Sequence, residues 1–145
     1  MTSEANRGKV AETLMKKALQ SLEKTRHNLC FERIADARSS RGMSSNPRDG
    51  DFVIYHAGKN ILIELKEVGH AVRLPKPNFP NDQKARLKKR QLAGTICKVV
   101  VYHSTTGVWR LLDLDYFDLG LTGSWDLTET KAYNLKEVIK CLTDL

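Results

Sequence analysis

No stretch of this 145-residue sequence approaches the roughly 18 consecutive apolar residues that a membrane-spanning helix needs. Its polar opening, MTSEANRGKV, lacks the apolar core of a signal peptide. Cysteine is scarce: Cys30, Cys97 and Cys141 are an odd number, widely spaced and without a CxxC pair. That argues against a disulfide framework or a cysteine zinc site and for free thiols in a reducing compartment. The histidines His27, His56, His70 and His103 have no metal-ligand spacing either. Of only 4 prolines, all but Pro47 fall in HAVRLPKPNFP (70–80), which therefore reads as irregular. Repeats, low-complexity tracts and linkers are missing too. The expectation is a cytoplasmic protein with a single domain over 1–145, long enough to bury about two-thirds of its unfolded surface.

Charge is present in quantity and unevenly placed. Residues 66–98 carry nine Lys or Arg against Glu67 and Asp82, a local net of +7, whereas residues 111–145 carry three Lys against seven acids, a net of −4. A pI near 9.4 with basicity gathered in one stretch suits a binder of phosphate backbones, although a solvated helix face has the same composition.

Apolar residues Val10, Leu14, Ala18, Leu19 and Leu22 recur at helical spacing and predict a helix over 4–25, with Ser3 as a candidate N-cap. LCFERI (29–34) reads as a strand, and ARSSRGMSSNPRDG (37–50) as a loop. Strands are expected over 51–56 and 60–66, then a helix over 81–93 ended by Gly94. Strands over 96–103 and 108–114 flank a turn at Thr106-Gly107, and a short helix lies over 134–142. Trp109 and Trp125 read as core or interface anchors. The element order implies an α/β fold with a single mixed central sheet flanked by helices.

The chemistry concentrates in GDFVIYHAGKNILIELKEV (50–68). Side chains alternate faces along a strand, so Leu62, Glu64 and Lys66 share one face and Ile61, Ile63 and Leu65 the other. A turn over His56–Lys59 sets Tyr55 opposite Asn60, Val53 opposite Leu62, and Asp51 opposite Glu64. Directly opposed carboxylates repel, unless a cation normally sits between them. Two converging acids suit Mg²⁺, which takes one or two carboxylates and completes its shell with water and phosphate. Lys66 would point to the same spot and orient or deprotonate a water, or stabilise charge developing on a phosphate. Read alone, the same pattern also describes a polar strand face with a weak Glu64–Lys66 ion pair.

Asp51, a gap, then Glu64-Leu65-Lys66 resembles the PD-(D/E)XK nuclease superfamily, with its restriction-endonuclease-like core. Gly50 stands where that pattern often has proline. Arg7, Gly8 and Glu12 in NRGKVAETL, and Phe79-Pro80-Asn81-Asp82-Gln83 followed by Gly94-Thr95-Ile96-Cys97, are similar to Holliday-junction resolvases of the RecU and Hjc kind. The connection HAGKN is short, as in the archaeal type, where RecU has a long stalk. The resemblance implies catalytic roles for Glu12, Asp51, Glu64, Lys66 and Gln83. It implies Mg²⁺, replaceable by Mn²⁺, held by Asp51, Glu64 and the Leu65 carbonyl, with Glu12 acting through water. It implies a homodimer that nicks four-way junctions symmetrically in DNA recombination and repair. DNA contacts are expected from Arg7, Lys9, Arg38, Ser39, Ser40, Arg41, Arg48, Lys84, Arg86, Lys88, Lys89 and Arg90. Alternatives are a VRR-Nuc-like nuclease cutting flaps or other branched DNA, and a non-catalytic DNA-binding module.

Overall fold

The computed structural model describes residues 9–34 and 50–145. Ser3, the start of the first predicted helix, and most of the loop predicted over 37–50 lie outside them. The chain forms helix α1 (Lys9–Thr25), strands β1 (Leu29–Arg33), β2 (Phe52–His56), β3 (Lys59–Val68) and β4 (Arg73–Pro75), and helix α2 (Asn81–Leu92). Strands β5 (Ile96–His103), β6 (Val108–Asp113) and β7 (Ser124–Asp126), and helix α3 (Leu135–Thr143), complete it. The main sheet has five strands in the order β1-β2-β3-β5-β6. All neighbours are antiparallel except β3 and β5, which run parallel with α2 in the crossover between them.

Alternation along β3 decides which layer each helix joins. Ile61 and Ile63 face Ala11, Met15 and Leu19 of α1 and Val138, Ile139 and Leu142 of α3 in one buried cluster. Leu62 and Val68 face the other way, into a second cluster with Leu87 of α2, Phe79, Phe117 and Trp125. The sheet is thus covered on both sides, as expected where a parallel crossover carries a helix. Trp109 and Trp125 are buried, in one cluster each. α3 starts with a capping box in which Asn134 and Glu137 satisfy each other's backbone N–H groups.

The 70–80 segment is not irregular throughout. Arg73–Pro75 pairs antiparallel with Ser124–Asp126 to make a separate two-stranded ribbon, followed by a 3₁₀ turn over Lys76–Asn78. Pro75 closes the strand at its last pair, where a missing N–H is tolerated. The partner lies far along the chain, so local composition carried no trace of the pairing.

α1 is capped from the sheet. Glu67, on the opposite face of β3 from Lys66, accepts the Ala11 N–H through Oε1 at 2.7 Å. A carboxylate suits the positive end of a helix.

A buried polar network stands at the far end of β5. His103 and Arg110 are both buried. His103 Nδ1–H donates to the His70 carbonyl at 2.6 Å, since a carbonyl can only accept, and Nε2 accepts from Arg110 Nε at 3.0 Å. Arg110 Nη1 donates to the Thr130 carbonyl at 2.7 Å and to its hydroxyl at 2.9 Å. The network ties the paired strands β5 and β6 to His70 and Thr130, which lie outside the sheet.

Candidate active site

The β2–β3 hairpin turns through Ala57 (φ 51°) and Gly58 (φ 83°), a mirror-image two-residue turn matched to strand twist. Its ladder pairs Tyr55 with Asn60, Val53 with Leu62 and Phe52 with Ile63. One step beyond, Asp51 N–H donates to the Ile63 carbonyl at 2.8 Å, and Ile34 N–H donates to the Asp51 carbonyl at 2.8 Å. Asp51 therefore sits just past the end of the ladder, beyond the pair Phe52–Ile63 and not directly paired with Glu64, yet close enough for its charge to act on that acid. Its carboxylate Oδ2 accepts the Leu65 N–H at 2.7 Å. Leu65 lies two residues on from Ile63, so its N–H and C=O turn to that same Asp51 side.

Gly50 makes this approach possible. Its φ is +81°, and a Cβ there would meet Leu62 Cδ1 at 2.6 Å and the Ile63 carbonyl at 3.3 Å. Proline, locked near −65°, is incompatible with that backbone, which gives the departure from the superfamily pattern a physical reason. Gly50→Ala should lower stability by about 1–3 kcal/mol, read as a lower melting temperature. Gly50→Pro should cost more and also displace Asp51; a proline variant as stable and active as wild type would contradict this.

Glu64 is buried, 4% exposed, at the β3–β5 centre of the sheet. Its Oε1 accepts from Gln83 Nε2 at 3.0 Å and lies 3.1 Å from Lys66 Nζ. Lys66 Nζ in turn donates to Gln83 Oε1 at 2.9 Å. The Gln83 amide thus gives its oxygen to the ammonium and its NH₂ to the carboxylate, bracing both from the first turn of α2. Glu64 Oε2 has no hydrogen-bond partner despite burial. Desolvation, with Asp51 adding to it, pushes the Glu64 carboxyl up to about 7 despite Lys66. A carboxylate so buried, with one oxygen unpartnered and a second acid nearby, is short of positive charge on that side.

That shortfall fits a hard divalent cation. The donors that converge there are Asp51, Glu64 and the Leu65 carbonyl, all oxygen. Among the described residues no group of three or more His, Cys, Asp and Glu side chains could hold a metal ion, so water and phosphate oxygens would have to complete the shell.

The structure brings Asp51, Glu64, Lys66 and Gln83 together. Glu12 is engaged elsewhere: its carboxylate forms an ion pair with Arg33 at the end of β1, a partner the sequence reading did not single out. Arg33 pairs with Phe52, so Glu12 is held at the same end of the sheet as Asp51.

The basic residues divide. Lys84, expected at DNA, is buried: its Nζ donates to the Asp118 carbonyl at 2.8 Å and lies 4.4 Å from the Trp125 ring. Helical phase turns it to the sheet, and burial lowers its pKa. Lys88 pairs with Asp115 at 2.6 Å and Arg86 with Asp82 at 3.2 Å. Lys98 pairs with Asp113, and Lys76 lies 3.5 Å from Asp118. The basic stretch and the acidic one, distinct in sequence, are thus partly paired in space. Lys9, Lys89 and Arg90 are exposed. Arg7, Arg38, Ser39, Ser40, Arg41 and Arg48 lie outside the described residues.

No protein-family model matches the chain, and no curated protein does. Among solved structures it is similar to Hjc of Archaeoglobus fulgidus, a Holliday junction resolvase from an archaeal hyperthermophile. The TM-score is 0.58 at 17% identity, covering 87% of this chain and 98% of that one. The chain therefore shares the fold of that protein: α/β, with a mixed five-stranded sheet and three helices among the described residues.

Proposed function

We propose that this protein is a Mg²⁺-dependent endonuclease for branched DNA that nicks four-way junctions symmetrically as a homodimer. The observation that carries the reading is Glu64: buried, with an unpartnered oxygen, near Asp51 and braced by Lys66 and Gln83. A metal held by Asp51, Glu64 and the Leu65 carbonyl would supply an activated water and polarise the scissile phosphate, with Mn²⁺ able to replace Mg²⁺. Lys66 orients the attacking water and stabilises charge on the phosphate, and Gln83 fixes the direction of the ammonium. Glu12 would join through water once Arg33 turned to a phosphate. Two such sites related by a two-fold axis match the two-fold symmetry of a junction.

The test is incubation of labelled four-way, flap and linear duplexes with and without Mg²⁺. Paired nicks near the branch point, dependent on the metal and missing from linear arms, are expected. A flap cut far faster than the junction, or a monomer by light scattering with DNA bound, would replace the resolvase reading with a flap nuclease.

Charge changes on α2 should separate contact from support. Lys89→Ala should flatten the salt dependence of binding by up to about one unit and weaken all DNA shapes alike. Lys84→Ala should instead lower the melting temperature, because its stem and ammonium pack against Trp125. An unchanged salt slope for Lys89→Ala would return that lysine to the solvated face.

A further inference from the structure

Lys66 has a third neighbour besides Glu64 and Gln83. Its Nζ lies 4.8 Å from the centroid of the Phe79 ring. Phe79 is fully buried. Its ring is set by Phe117 at 5.3 Å and Trp125 at 6.4 Å, both edge-on, and its N–H donates to the Lys76 carbonyl at 3.0 Å. Lys84 braces the same group, 4.4 Å from the Trp125 ring and 5.7 Å from Phe79. The aromatic cluster is anchored on the 3₁₀ turn, on α2 and on the 117–125 segment, so the Phe79 ring is held still.

We infer that Phe79 is a positioning residue that holds the Lys66 ammonium at the candidate site through the negative face of its ring. This rests on the nuclease reading above. The side chain of Lys66 is only 13% exposed, and a cation over an aromatic ring is held most strongly where water is excluded. The ring does what the polar partners cannot. Glu64 Oε1 holds Lys66 but belongs to the acid pair, so any divalent cation taken there competes with Lys66 for that charge and repels it. Phe79 has no oxygen to lose to a metal. An aliphatic side chain of equal volume would fill the space but offer no negative face.

The experiment replaces Phe79 with mono-, di- and trifluorinated phenylalanine, which keep the shape and progressively drain the ring face. With Mg²⁺ and junction DNA, kcat should fall stepwise, about tenfold by the last member, with KM and melting temperature nearly constant. Phe79→Trp should retain most activity. A flat kcat across the series would overturn the inference even if Phe79→Leu failed to fold. A second readout needs no cleavage: the ¹H–¹⁵N signal of the Lys66 ammonium in metal-free protein should weaken along the same series as the group loosens. If wild type cuts no DNA form, the nuclease reading fails, and an ammonium signal unchanged in the trifluoro protein would overturn the Phe79 inference separately.

Discussion

Asp51→Asn and Glu64→Gln should each lower Mg²⁺-dependent cleavage by more than the 10–100-fold that supporting shells of metal sites typically command, while DNA binding stays normal or tightens. Both changes keep shape and remove charge, so circular dichroism and chromatography should be unaltered. Cleavage surviving in both would sink the site. Glu64→Gln carries a further signature in EDTA. Burial and Asp51 raise the folded carboxyl from 4.5 to about 7. Between those values the folded protein keeps a proton that the unfolded chain has released, so metal-free wild type loses stability as pH rises through that window. The amide cannot ionise. Its advantage over wild type should be small near about pH 5 and reach a few kcal/mol at about pH 8. Excess Mg²⁺ should shrink it, since a cation bound by the ionised Glu64 carboxylate stabilises the wild type and not the amide variant.

Arg110→Ala should be the most destabilising substitution away from the site, by about 3 kcal/mol or more. It leaves His103 Nε2 and the Thr130 carbonyl without their donors in a buried setting. Denaturant midpoints would show it; a loss below about half a kcal/mol would mean that water replaces the guanidinium. Desolvation, with Arg110 adding to it, lowers the His103 pKa below its usual 6.5. The unfolded chain then takes a proton that the folded one refuses, so this residue contributes stability above that pH that is lost as pH falls below it.

The centre of the fold could be read because its signals are local. Period-two alternation over Ile61–Lys66 assigns faces, and Ala57-Gly58 sets the hairpin register as far as Phe52–Ile63, which together bring Asp51 close to Glu64. Gln83 was reached through the family resemblance alone, since the parallel crossover that lays α2 on that face joins strands whose order the sequence does not display. The unread parts join distant segments. The Glu67 cap on α1, the Glu12–Arg33 pair and the β4–β7 ribbon leave no period in the sequence. Lys84 illustrates the limit: in a run of KARLKKR its phase on the helix, and not its type, decides that it is buried beside Trp125.

The Ala57-Gly58 turn lies at the opposite end of β2 from Asp51, roughly 17 Å away at the usual rise of a strand. Chain length at that tip is separable from the acids: residues added between Ala57 and Gly58 extend outward, while the pairing of β2 with β1 and of β3 with β5 holds the strands at the far end. The hairpin separates a region free to vary from a fixed one within a single supersecondary unit. Variants with grafted loops at the tip can thus be screened for binding to new DNA geometries while the proposed site stays as it is.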